Sequence, residues 1–183
     1  MKQAFQPLPH GHGSEAFAEP SASASGPGMG KLVMRRAAAD NAYLHKDFHG
    51  ALSSGIEYLH ETYGAEAVRE YLGQFARSFY APLREAIASR GLAALKEHFE
   101  QMYAAEGGSV QIEMSEDQLT LHIDRCPAVT HMREHGYKVA RLFAETSRTV
   151  NEAIVEGTAF AAEMVAYDER TGQSTQRFRR RTA

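Results

Sequence analysis

With a single cysteine, Cys126, the sequence cannot close an intrachain disulfide, and nothing in its cysteine usage points to an oxidising compartment. It also lacks any apolar run near the ~20 residues that a membrane-spanning helix needs, and its first residues carry no apolar stretch of the kind found in secretion signals. An excess of charge of either sign is missing too. Twenty Lys and Arg stand against 23 Asp and Glu, a formal net charge of −3, which argues against a polyanion-binding surface. A hydrophobic content of 43% argues equally against a disordered chain. The expectation is a cytoplasmic protein that engages a small molecule or another protein, with neither nucleic acid nor membrane as partner. At 183 residues there is room for one domain with a real core, and not for two comfortable ones.

Residues 1–36 are expected to form a disordered or loosely attached arm. They are rich in Gly, Pro, Ser and Ala, as in EAFAEPSASASGPGMGK, with too few large apolar residues to offset the entropy of ordering. His10 and His12 flank a glycine there, a weak metal-binding pattern and more simply a solvated tail. Residues 37–183 read as a single α+β domain, in which an N-terminal antiparallel helical layer packs on a small antiparallel sheet made of two β-hairpins.

The helical layer follows from spacing. Asp40 or Asn41 can cap a first helix, along which Leu44, Phe48, Leu52, Ile56, Leu59 and Tyr63 fall within one arc. A second segment carries Val68, Tyr71, Leu72, Phe75, Phe79 and Leu83, its aromatics spaced as core residues, and Pro82 should kink or end it. A third, from Leu92 to Tyr103, closes at Gly107 and Gly108. Beyond Gly108 the apolar period drops to two. Val110, Ile112 and Met114 lead through Ser-Glu-Asp into Leu119, Leu121 and Ile123, the pattern of a hairpin. Val139 to Val155 is expected to be helical. The last stretch reads as a second hairpin turning at Asp168 to Gly172, with Phe160, Ala162, Met164 and Ala166 on one face. The closing Arg177, Arg179, Arg180 and Arg181 read as a solvated tail.

Chemistry is expected at LTLHIDRCPAVTHMREHG, residues 119–136. Proline suits the first position of a helix, so Pro127 makes Cys126 a candidate N-cap residue, where the helix dipole would ease ionisation of the thiol. Simple packing is the alternative use of a lone cysteine. A nucleophilic thiolate needs an imidazole to exchange its proton and a donor for developing charge. His45 and His49 are candidates for the first role, whereas His122, four residues before Cys126 on a strand, is about 13 Å away along it. His45 with His49 and His131 with His135 share the i, i+4 spacing that lets a helix present two ligands to a metal. A divalent metal such as zinc is therefore a candidate cofactor, although neither pair has the glutamate of a zinc-peptidase helix. Asp47 projects away from His45 and His49 on an ideal helix.

The order of features, with GGSVQIEMSEDQLTLHIDRCP, then REHG, then the spacing to the last hairpin, resembles the L-2-amino-thiazoline-4-carboxylic acid hydrolase family from about Asp40 onward. The resemblance implies hydrolytic opening of a small sulfur-containing cyclic amidine that carries a carboxylate. It matches Cys126 to the family's cysteine and His135 to its histidine before glycine. It further implies Arg133, with His131 beside it, as the contact for the substrate. Cys126, His45, His49 and His135 are the catalytic candidates. A non-enzymatic ligand-binding or metal-binding sensor domain of the same fold is the competing expectation, and either could form a homo-oligomer.

Overall fold

The structure, a computed structural model, describes residues 46–182. The chain divides into two units, Met1–Asp40 and Asn41–Ala183, and the described residues all belong to the second. The N-terminal arm with its two histidines, the capping candidates Asp40 and Asn41, and His45 lie outside the described residues.

Four helices precede the sheet: α1 (Phe48–Tyr63), α2 (Ala65–Phe79), α3 (Ala81–Arg90) and α4 (Leu92–Ala105). The pattern predicts three. The extra break falls at Tyr80 because Pro82, without an amide hydrogen, is accommodated in the first turn of a new helix and not inside an old one. Gly64 and Gly91 mark the other two joints.

The hairpin β1 (Gln111–Met114) and β2 (Gln118–Ile123) turns through Ser115, whose amide donates to the Gln118 carbonyl oxygen at 2.8 Å. Helices α5 (Pro127–Glu134) and α6 (Glu145–Val155) follow, then β3 (Phe160–Tyr167) and β4 (Ser174–Arg180). The helix expected over Val139 to Val155 therefore starts only at Glu145. All pairings are antiparallel in the order β1-β2-β4-β3, with Leu119 opposite Phe178 and Leu121 opposite Gln176 where the two hairpins join. The architecture is α+β, helices mostly before a four-stranded antiparallel sheet. Among the described residues no helix is long and apolar enough to cross a membrane.

The alternation predicted for β2 sets the core. Leu119, Leu121 and Ile123 are buried on the helix side beside Phe178 of β4 and Phe99 of α4, and truncating such a phenylalanine to alanine costs about 3–5 kcal/mol. One polar pair sits among them. Asn151 Nδ2 of α6 donates to Gln176 Oε1 at 2.6 Å, and Gln176 Nε2 donates to Ser174 Oγ at 3.1 Å, so neither buried amide is left wanting at the contact.

Four expectations need correction. The aromatics of α2 are not core residues: Tyr71, Phe75 and Phe79 are 48%, 40% and 65% exposed. The buried face of α2 is made by Val68, Leu72, Gly73 and Ala76, small enough to let α6 approach closely, and Phe75 and Phe79 stack on each other at 5.1 Å instead. Phe48 and Tyr63, at the two ends of α1, are likewise exposed. Ala166 leaves the face of Phe160, Ala162 and Met164, because an irregularity between Met164 and Ala166 shifts the register and turns Ala166 outward. The terminal arginines are no tail. Arg177, Arg179 and Arg180 belong to β4, a central strand, where Arg177 lies 3.8 Å from Glu163 and Arg180 Nε donates to Asp117 Oδ1 at 2.5 Å.

Candidate functional site at the junction of strand and helix

Cys126 is the N-cap of α5, extended at φ −72° and ψ 122°, with Pro127 in the first turn as its sequence requires. Its amide donates to the Thr171 carbonyl oxygen at 3.3 Å, which ties it to the β3–β4 turn. That turn is built by Asp168, whose Oδ1 accepts from the amides of Arg170 and Thr171 and from the Thr171 hydroxyl. The Thr171 bonds hold the Asp168 carboxyl below its usual range. Two glycines then brace the Cys126-Pro127 step. A Cβ on Gly172 would meet Cys126 Cβ and Val129 Cγ2 well inside contact distance, and Gly172 already has φ +69°. On the other side a Cβ on Gly108 would collide with Pro127 Cγ and press on Tyr103 Cδ1 at 3.3 Å.

The thiol does not ionise more easily than a free one. Burial pushes its pKa up, and this outweighs the lowering by the Val129 and Ala128 amides at the start of α5, with the charge of Glu106 adding a further upward push. The amides of the helix's first turn do favour the thiolate, but desolvation wins, against the expectation of an easily ionised thiol.

Three ionisable neighbours are coupled electrostatically to this sulfur, two from the end of α4 and one from the end of β3. Glu106 stands just after α4, Tyr103 lies on its last turn, and Tyr167 ends β3. A charge on the sulfur acts on both phenols. Tyr103 is pushed up by burial first, then by Cys126 and Glu106. Tyr167 is pushed up to about 12, again by burial first. Glu106 is held by the first turn of α1: its Oε2 lies 3.2 Å from His49 Nε2, with both side chains 17% exposed. His49 thus reaches the sulfur's surroundings by way of a carboxylate that spacing alone could not reveal.

His131 and His135 stand in and just after the last turn of α5, about 7 and 13 Å along its axis from Cys126. His131 Nε2 lies 3.0 Å from Asp47 Oδ1, which also accepts the Tyr137 hydroxyl at 3.3 Å. Asp47 thus pairs with α5 and with Tyr137, which follows Gly136 just beyond that helix. The His135 ring lies tilted against that of His131, centroids 4.0 Å apart, and donates Nδ1–H to the His131 carbonyl oxygen at 2.9 Å. His122 lies on the sheet's outer face, 3.7 Å from Glu113.

Arg133 donates Nη2–H to the Glu169 carbonyl oxygen at 3.1 Å, and its charge pulls the Tyr167 pKa down against the larger upward pushes. These residues line a cleft of about 140 Å³ together with Arg141 and Phe143. A larger cleft, about 260 Å³, involves Ser53, Glu57, Glu61 and Lys138 and shares no residue with the sulfur's surroundings. It lies where α1 grips the segment after α5. Ser53 Oγ donates to the Lys138 carbonyl oxygen and accepts from the Ala140 amide, both at 2.8 Å, while Glu57 accepts from Lys138 Nζ and from Arg141 N and Nε at 3.0 Å. The Lys138 bond, then the Arg141 amide, lower the Glu57 pKa to about 2.

Metal ligation finds an incomplete donor set in the described residues. His49 has Glu106 and His131 has Asp47, but no group of three or more His, Cys, Asp or Glu side chains is placed to hold an ion. Tyr103, Glu106, Tyr167 and Gly172 are the members of the site that sequence reasoning missed. Only Gly172, the glycine that closes a predicted turn, carried a local signal. No known protein-family model matches the chain, and no curated protein matches it either.

Proposed function

We propose that this protein hydrolyses a small cyclic amidine bearing a carboxylate, the reaction implied by the resemblance to the L-2-amino-thiazoline-4-carboxylic acid hydrolase family, with Cys126 as nucleophile. The observations that support it are a thiol beside a histidine-held carboxylate at the strand-to-helix junction, and an arginine-lined cleft that shares Tyr167 with the sulfur's surroundings. In this reading the thiol proton passes to the Glu106–His49 pair, directly or through one water. Sulfur bonds to the C=N carbon and the π pair moves to the ring nitrogen, which takes a proton. The ring carbon–nitrogen bond then breaks with nitrogen leaving as an amine. One water displaces the Cys126 sulfur, one of its protons restoring the thiol and the other going to the remaining nitrogen, so that the sum adds one water. Arg133 meets the carboxylate of the substrate, and the histidines at the far end of α5 hold the helix. A cytoplasmic setting suits a lone unbridged cysteine.

The competing reading, a non-enzymatic ligand-binding domain, is favoured by one observation: burial keeps the thiol protonated, as in an inert pocket. Ring opening of the thiazoline acid by wild type and by Cys126→Ala separates the two. Turnover lost in the variant supports the hydrolase with Cys126 as nucleophile; equal turnover removes that role from Cys126, and none in either supports the binding domain.

A further inference from the structure

Arg133 and Glu169 both line the cleft of about 140 Å³, yet they form no ion pair with each other. The guanidinium donates Nη2–H to the backbone carbonyl oxygen of Glu169 at 3.1 Å, which holds the cation beside that residue. Among the described residues the Glu169 carboxylate makes no hydrogen bond or ion pair, and Arg133 has no carboxylate partner. The other arginine of the cleft is spent, because Arg141 gives Nε–H to Glu57 and Nη2–H to Glu61. Two opposite charges are thus left open in one small cleft whose lining includes the buried Phe143.

A pair so open to solvent gains little by closing on itself, so keeping the two apart costs the fold little. For a ligand the arrangement is selective. A carboxylate alone would meet Arg133 but be repelled by Glu169, and a cation alone would be repelled by two guanidinium groups. A molecule that carries both signs a short distance apart satisfies both. It must also be small, since the volume lies well below the ~300 Å³ at which drug-sized sites begin, and Val139 and Phe143 offer apolar contact to a single ring.

We propose that this cleft is a zwitterion site, in which Arg133 takes the carboxylate of a small cyclic molecule and the Glu169 carboxylate takes a protonated nitrogen on the same molecule. The assignment rests on the hydrolase reading above for the contact of Arg133 with a carboxylate, and adds the charge state in which the substrate is held: the amidine binds as its cation, the form it takes near neutral pH. Glu169 is a binding residue here and carries no proton in the reaction, which stays with the Glu106–His49 pair.

The test uses three saturated five-membered rings with no C=N bond to attack: L-proline with both charges, tetrahydrofuran-2-carboxylate with the anion alone, and pyrrolidine with the cation alone. Each is titrated into wild type and Glu169→Gln and followed by amide chemical shifts around the cleft. The variant keeps the backbone carbonyl that holds Arg133 and loses only the charge, so its melting temperature stays at the wild-type value. Wild type binds L-proline at least about 10-fold more tightly than either single-charge ring, and Glu169→Gln erases the preference over tetrahydrofuran-2-carboxylate. In turnover the variant raises KM for the thiazoline acid about 10-fold with kcat within about three-fold, the mark of lost binding and not of lost chemistry. Equal binding of L-proline and tetrahydrofuran-2-carboxylate by wild type, binding of neither, or a preference that survives in Glu169→Gln overturns the proposal. So does a melting temperature several degrees lower in the variant, which would make Glu169 a structural carboxylate. If the thiazoline acid is not opened while the preference for L-proline holds, the hydrolase reading falls and the zwitterion site stands; an acid that is opened without that preference gives the reverse.

Discussion

The two ends of α5 treat their polar residues in opposite ways. At its C-terminal end His131 has Asp47, His135 has the His131 carbonyl oxygen, and Tyr137 donates to Asp47 while its ring lies against Gly50 of α1. At its N-terminal end a desolvated thiol feels the charge of a carboxylate held by one histidine. Two histidines at metal-ligand spacing look the more functional in sequence. Yet rings fixed by Asp47 and by a helix carbonyl have their bonding capacity spent on the fold, whereas a desolvated thiol, and a carboxylate held at one oxygen by a single histidine, keep bonds to spare and can engage something else. The contrast assigns clamping to one end and chemistry to the other.

The sharpest way to break it is Cys126→Ala. Ring opening falls at least about 1000-fold if the nucleophile has been removed, while the melting temperature moves by a few degrees at most, since a half-buried thiol contributes little packing. Turnover that survives in the alanine variant would strip the N-terminal end of its chemical role.

Gly172→Ala comes next in size. The added methyl would strike Cys126 and Val129 at a residue with φ +69°, and overpacking together with left-handed strain costs about 3 kcal/mol in urea denaturation. Because the collision displaces the sulfur itself, activity should fall further than the loss of folded protein explains. A fall in activity that merely follows the folded fraction would show that the position of the sulfur is not critical.

How much of this was legible in the sequence depends on the range of the interaction. Pro127 after a period-two run placed Cys126 at a strand-to-helix step, and both hairpins were readable from alternation and turn residues. On α2, however, Val68, Leu72 and Ala76 compete with Tyr71, Phe75 and Phe79, two rows of equal spacing, and periodicity cannot say which is covered. The small row won because α6 had to come close. Glu106 was invisible for a similar reason: a carboxylate at a helix end resembles any solvated residue until His49, 57 positions earlier, is folded against it. The acidity of the thiol failed differently. The dipole was read correctly from local geometry, but burial, a property of the whole fold, outweighed it.

A smaller effect, confined to acid, tests the grip of α1 on the segment beyond α5. The Glu57 pKa is depressed from 4.5 to about 2 in the folded protein. Its bonds to Lys138 and Arg141 therefore add stability that is fully present above the unfolded value and is lost as pH falls through the folded one. Urea denaturation between pH 5 and pH 2, at about half-unit steps, should show wild type losing this contribution, while Glu57→Gln starts lower and stays flatter over the same window. Parallel pH profiles for the two proteins would mean that the carboxylate is not charged in its clamp.

The smallest change is expected at the end of α5 that looks most like a site. His131→Gln keeps a polar side chain beside Asp47 but removes the ring that lies against His135. The His131 side chain is 14% exposed but its Asp47 partner is half exposed, and an ion pair screened by solvent on one side contributes only about 1 kcal/mol, so denaturation midpoints should move little. Turnover should stay within about three-fold of wild type, because in the clamping picture the imidazole touches no reacting atom and acts only by fixing where α5 begins, a turn and a half away. The double variant with His135→Gln extends the point, for its Nδ1–H bonds a carbonyl oxygen of its own helix. A loss of two orders of magnitude in either would move the chemistry to this end and make the desolvated thiol a packing residue. Such a result would also reverse the rule by which the two ends were told apart, since groups already paired in the fold would then be the ones that act.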